Sequence, residues 1–257
     1  MVEHVTENHG VGGSIPPLGT TLPPNLRLPG RRSRMFIEDV AKSHRLFARG
    51  FDYHRQFLDR FLPPKGLIGD IGSGTGKIAA FYDSPGRHFV SIDNEPETIA
   101  AVKRVLPGHD FRVGDAFNLP FADRELDAYL GLGIFELDGE CGRRAMREAA
   151  RVTKDLLYIT VPYRNALRRR GRAPVWRGMR LPAFDVCDMT ALLEPYGFEI
   201  VLARPSSIAH GMGPFRKLAT LFPRSLGAED EQSLLYRWLW SRLRPLANSL
   251  LIVARRA

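Results

Sequence analysis

The sequence predicts an α/β protein built on a doubly wound parallel sheet. Three observations carry that expectation. Short apolar runs alternate with stretches of helical length from residue 66 to residue 162, which is the pattern of a parallel sheet with helical crossovers. The first run breaks into glycines at alternate positions, Gly72, Gly74 and Gly76. Acidic residues then stand where the next two runs end, at Asp93 and Asp115.

Taken in order, residues 1–34 are rich in Gly, Pro, Thr and Asn, with Pro-Pro pairs at 16–17 and 23–24. They read as a disordered or loosely draped arm. A helical pattern starts near Phe36, with Phe47, Phe51, Phe57, Leu58 and Phe61 as apolar members, and Pro63-Pro64 stops it. Such a helix ahead of the first strand is placed to cover a cleft.

The first strand is predicted at Gly66–Ile71 and its helix from about Thr75 to Tyr82. The glycines between them admit backbone angles closed to other residues. The second strand is His88–Ile92, its helix roughly Pro96–Val105, and the third strand Asp110–Val113. The fourth strand is about Leu126–Leu132, followed by a helix at Glu140–Val152 and a fifth strand at Leu156–Val161.

After Pro162 the alternation is interrupted. Residues 163–187 carry seven arginines and no acidic residue before Asp185, so they read as a basic insertion. A helix at Met189–Leu193 and a strand at Phe198–Leu202 follow. Residues 207–246 form a second insertion, and a last strand is predicted at Leu250–Ala254. That makes seven strands. The second insertion interleaves Arg237, Arg242 and Arg244 with Tyr236, Trp238, Leu239 and Trp240, a mixture suited to an interfacial surface.

Composition sets the outer bounds. The chain has 257 residues, 44% hydrophobic and 25% charged, as expected of a globular protein with a substantial core. No apolar run approaches the roughly 18 residues that span a bilayer, and the first residues lack the pattern of a secretory signal. Two cysteines, Cys141 and Cys187, form neither a metal spacing nor a disulfide framework, so no metal is expected and the default compartment is cytoplasmic. A net charge of +9 suits nucleic acid, an anionic membrane surface, an acidic substrate or plain solubility.

The glycine turn discriminates among nucleotide sites. The dinucleotide fingerprint needs a third glycine where Lys77 stands, and the P-loop needs a glycine at Ile71 and a hydroxyl at Ile78. What remains is D-x-G-x-G-x-G from Asp70 to Gly76. Asp93 lies 21 positions beyond Gly72, where a carboxylate can accept ribose hydroxyls. It can equally cap the next helix, and Asp115 can equally serve a turn.

The segments GDIGSGTG (69–76), VSIDNEPETI (90–99), GDAFNLPFADRELDAYLGLGIFEL (114–137) and EAARVTKDLLYITVP (148–162) together resemble the small-molecule branch of class I S-adenosylmethionine (SAM) methyltransferases. That broad group includes the ubiquinone and menaquinone biosynthesis methyltransferases. The resemblance covers roughly residues 40–162. It implies a Rossmann-like seven-stranded sheet, mostly parallel with an antiparallel last strand, an N-terminal helical cover over the methyltransferase domain (35–257), and an acceptor cap from the two insertions.

The resemblance also implies roles. Asp70 and the turn Gly72, Ser73, Gly74 and Gly76 would hold the methionine portion of SAM. Asp93, with Asn94 beside it, would bind the ribose. Asp115 and Ala116 would hold the adenine, and Gly131 would line the cleft near the sulfonium. Two departures stand out: Glu136-Leu137 where many members have Glu-His, and Lys154-Asp155 where Gly-Gly is usual.

An oxygen or nitrogen acceptor needs its proton removed. His210, in a glycine-flanked loop of the second insertion, is the leading candidate, with Tyr163, Asp185 and His54 behind it. The implied function is methyl transfer to a small-molecule, anionic or lipid-like acceptor, with peripheral membrane contact. An RNA methyltransferase is the alternative, and a non-catalytic SAM-binding scaffold is a third. Against RNA, the Asp-Pro-Pro-Tyr type of signature is absent after strand four, where it should fall; Pro162-Tyr163 follows strand five instead.

Overall fold

The structure, a computed structural model, describes residues 40–45, 47–48, 54–138, 140–164, 175–176, 179–206 and 247–257. Residues 40–45 and 47–48 are helical. The elements that follow are α1 (His54–Phe61), β1 (Gly66–Ile71), α2 (Lys77–Tyr82), β2 (Arg87–Asp93), α3 (Pro96–Val105), β3 (Asp110–Val113), β4 (Leu126–Leu132), α4 (Arg143–Val152) and β5 (Thr153–Pro162). After these come the short pair β6 (Val175–Trp176) and β7 (Met179–Arg180), then α5 (Val186–Leu193), β8 (Phe198–Ser206) and β9 (Ser249–Arg256).

The main sheet has seven strands in the order β3-β2-β1-β4-β5-β9-β8. Strands β1 to β5 pair in parallel, and β9 runs antiparallel to both β5 and β8. The chain winds outward from β1 through β2 to β3, then returns to place β4 on the other side of β1. The strand order therefore reverses between β1 and β4, and the carboxyl ends of those strands are where such sheets form a crevice.

Each face of the sheet is covered by its own apolar layer. Along β5, Leu157, Ile159 and Val161 join Met146 and Ala149 of α4 and Met189 and Leu193 of α5. Leu156 and Tyr158 point the other way, toward Phe57 and Leu58 of α1, Ile78 and Tyr82 of α2, and Ile99 and Val102 of α3. This is the period-two alternation of a strand buried on both sides. On the α1 face, His54 Nδ1 lies 2.9 Å from Tyr158 Oη, so His54 belongs to the core and not to a catalytic site.

Three helix starts differ from the sequence expectation, one of them α5, which begins at Val186 after the Asp185 cap and not at Met189. Helix α2 begins at Lys77, because Gly72, Gly74 and Gly76 adopt φ of 73°, 50° and 65° and cannot sit in a right-handed helix. Helix α4 begins at Arg143, after Cys141 and Gly142 with φ of 53° and 85°. Strand β8 runs on to Ser206 because β9 pairs with it over that length. The hairpin β6–β7, inside the basic insertion, had no periodic signal to announce it. The 1–34 arm and the 207–246 insertion lie outside the described residues.

Candidate active site

The glycine turn is stitched to the neighbouring strand by main-chain bonds. Gly72 N and Ser73 N both donate to Ile92 O, at 2.8 and 3.1 Å, and Gly76 N donates to Ser73 O at 2.9 Å. A side chain at position 72 would place its Cβ 2.3 Å from Ile134 Cδ1. One at 76 would meet Phe111 Cζ at 2.5 Å. Position 74 is open, with its nearest atom at 4.0 Å, so there the left-handed backbone alone calls for glycine.

Asp93, at the end of β2, braces this turn. Its Oδ2 accepts from Gly74 N at 3.0 Å and its Oδ1 from Glu95 N at 3.1 Å. Asp93 borders the crevice and braces the turn into α3, whose N-cap is Glu95 and not Asp93. Each oxygen keeps a lone pair for a further donor. Asp115 behaves similarly. Its Oδ1 accepts from Phe117 N at 2.9 Å, and its Oδ2 lies 3.8 Å from Arg144 Nη2.

These groups converge on an open crevice of about 510 Å³ at the reversal of the strand order. Gly72, Gly74, Asp93, Asn94, Asp115 and Ala116 line it. Phe117, Leu132, Ile134 and Leu137 supply apolar wall; the sequence placed the stretch LGLGIFEL at this crevice without naming its apolar residues singly, and it did not point to Phe117. All four sit inside the quoted motif segment 114–137, and only their side-chain direction was hidden.

Four expected residues stand behind the lining. Gly131 is buried, and a Cβ there would lie 2.6 Å from Tyr129 Cε1 and 3.0 Å from Phe135 Cε2, so packing explains it. Ser73 and Gly76 hold the turn from behind. Asp70 is 3% exposed beneath Gly72, and its Oδ2 has no hydrogen-bond partner among the described residues. Burial pushes its carboxyl up from 3.8 to about 7; Lys77 works against that shift and Asp93 adds to it.

The N-terminal helical residues touch the same turn. Ser43 Oγ lies 3.2 Å from Thr75 Oγ1, and His44 Nε2 lies 2.7 Å from Thr75 O. A carbonyl only accepts, so Nε2 carries the hydrogen. Burial lowers the His44 pKa, and the hydrogen bond to Thr75 O works against that shift.

Of the proposed bases, His210 lies outside the described residues. Tyr163 is half-buried against the apolar layer on the α4 side, with its N–H bonded to Asn248 O at 2.8 Å, and it does not line the crevice. Asp185 caps α5 and pairs with Arg164 at 3.1 Å. Among the described residues, the crevice lining contains no histidine or tyrosine.

With this geometry in hand, known proteins can be compared. Residues 69–157 match the family described as a methyltransferase domain. That stretch is similar to a methyltransferase domain. It is 37% identical over 86 residues to a demethylmenaquinone methyltransferase of Paenarthrobacter aurescens, covering 33% of each chain. It is 33% identical over 88 residues to one of Thermotoga maritima, covering 33% of this chain and 38% of that one. The match thus spans about a third of the length of these curated relatives.

Solved structures share the fold over more of the chain. A putative methyltransferase of Haloferax volcanii in complex with the Trm112 activator superposes with TM-score 0.56 at 19% identity, over 86% of this chain and 96% of that one. A magnesium protoporphyrin IX methyltransferase of Synechocystis with bound SAH superposes with TM-score 0.53 at 15% identity, over 87% and 85%.

The cofactor of such a methyltransferase domain is SAM, and the residues present fit it. The orphaned carboxylate oxygen of Asp70 suits a cationic amino group. The glycine turn is open at position 74, where the nearest atom to an added Cβ lies at 4.0 Å. Asp93 offers free lone pairs to hydroxyls, and Phe117 offers an apolar ring beside Asp115.

Proposed function

We propose that this chain transfers the methyl group of SAM to a small-molecule acceptor by in-line displacement, leaving S-adenosylhomocysteine. The observation that carries the reading is Asp93. Its carboxylate is tied to Gly74 N–H at the crevice where the strand order reverses, and it retains acceptor capacity toward the cavity.

When bound, SAM supplies an electrophilic methyl carbon on a positively charged sulfur. The chain's own part is positioning, which in well-oriented systems is worth of order 7–11 kcal/mol. Asp70 and the glycine turn would fix the methionine end, Asp93 and Asn94 the ribose, and Asp115, Ala116 and Phe117 the base. Leu132, Ile134 and Leu137 would keep water from the reacting face. His210 is our candidate for taking the acceptor's proton, and it awaits direct test.

The acceptor we favour is lipid-like or anionic. Two relatives carry the name demethylmenaquinone methyltransferase, and the insertion after β5 is rich in arginine. The test is to incubate the chain with methyl-labelled SAM and cell extract separated into lipid, small polar and RNA fractions. Label should enter the lipid or small polar fraction; label in RNA would overturn the acceptor class. Asp93→Ala should weaken SAM binding about tenfold or more, because a charged acceptor and the brace on Gly74 are lost together. Unchanged calorimetric affinity in a folded variant would remove Asp93 from the site.

A further inference from the structure

A second cavity, of about 440 Å³, lies between α4 and the segment from Pro182 to Tyr196. It is a groove of two chemistries. Phe184, Leu192, Pro195 and Tyr196 give it apolar surface, and Arg143, Arg147 and Arg164 give it positive charge beside one carboxylate, Asp188. No residue is shared with the lining of the SAM crevice.

The three arginines are not equivalent. Arg164 is already engaged: its Nη1 lies 3.1 Å from Asp185 Oδ2, its Nη2 2.7 Å from Asp188 Oδ2, and its Nε donates to Ala183 O at 3.2 Å. Arg143 and Arg147 are exposed and make no ion pair among the described residues. They stand four apart on α4, so their side chains lie on one face, one above the other.

Their place on the helix adds to the case. Helix α4 starts RRAM and has no acidic residue in its first turn. Positive charges there oppose the helix dipole, whose amino end is itself positive. An anion in the groove would relieve that opposition and satisfy both guanidinium groups. The side of the groove facing them is held firm by the Asp185–Asp188 capping box and by Arg164.

We propose that this groove is a second binding site, for a small organic anion: a carboxylate or phosphate held by Arg143 and Arg147, on an apolar body of one or two rings lying over Phe184, Leu192 and Tyr196. Its size suits such a molecule, and the site does not depend on what the crevice methylates.

The test uses the full chain saturated with SAM, titrated with 1-naphthyl phosphate and followed by calorimetry. One site should appear. 1-Naphthol and inorganic phosphate, which each carry half of the required chemistry, should bind about tenfold more weakly or worse. Arg143→Ser combined with Arg147→Ser should weaken naphthyl phosphate about tenfold or more at a melting temperature no lower than that of wild type, since both side chains are exposed, make no ion pair among the described residues and oppose the helix dipole. Ala191→Trp, which crowds the groove and leaves its charge intact, should weaken it as well.

The proposal fails if the double variant binds like wild type. It fails if SAM displaces the probe, because the probe would then sit in the crevice. It also fails if inorganic phosphate binds as tightly as the naphthyl ester, because the arginines would then be only a charged surface. Loss of SAM binding itself would count against the methyltransferase reading and leave the groove's own titration in unsaturated protein to decide this one.

Discussion

Asp70 is a carboxylic acid held away from water. Its raised pKa means that the folded chain binds a proton more tightly than the unfolded chain does, between the ordinary 3.8 and about 7. The stability this group contributes is therefore fully present below 3.8 and is lost as pH rises through about 7. Asp70→Asn removes the titration. The melting temperature of wild type minus that of the variant should fall between pH 5 and pH 8 in the absence of SAM; a difference independent of pH would show that Asp70 is ionised in the folded chain. At this scale the motif named Asp70 from the sequence, yet its burial was hidden, because burial is set by strands distant in sequence. Gly131 teaches the same lesson in reverse. It looked like cleft lining, and the packed rings of Tyr129 and Phe135 account for it instead.

At the scale of elements, α4 is tied down at both ends by residues outside it. Asp138 Oδ1 accepts from Glu140 N and Gly142 N at 2.7 and 2.8 Å, and its Oδ2 from Ala145 N at 3.1 Å. At the other end Arg256, on β9, donates to four carbonyls: Ala150 O and Thr153 O at 2.8 Å, Tyr196 O at 2.9 Å and Lys154 O at 3.2 Å. A cation there complements the negative end of the helix dipole. Arg256→Ala should cost about 2 kcal/mol of stability, read from the midpoint of urea unfolding, because buried acceptors lose a charged donor. Unaltered stability would mean that water replaces the guanidinium fully. The sequence marked α3, β3 and β4 at the bounds observed, since prolines, glycines and apolar runs punctuate them. It could not reveal a clamp between residues 106 positions apart.

For the molecule as a whole, seven strands and a crevice at the carboxyl ends of β1 and β4 were legible from the alternation of runs and from the acidic residues closing them. The order of the strands beyond β5 was not, because it depends on pairing across the 207–246 insertion. That order carries a consequence for synthesis on the ribosome. Strand β8 is made before β9, yet β9 is the neighbour that joins β8 to the sheet. Until the ribosome has released residues 249–256, β8 has no partner strand and β5 presents an open edge, a template for pairing with other nascent chains. Chains ending at residue 248 should therefore aggregate and bind chaperones when translated in a purified system, whereas chains that include residues 249–256 should not. If truncated chains stay monodisperse, some other segment shields β5 during translation. Strand β9 thus acts as a keystone, because β8 joins the sheet only through it.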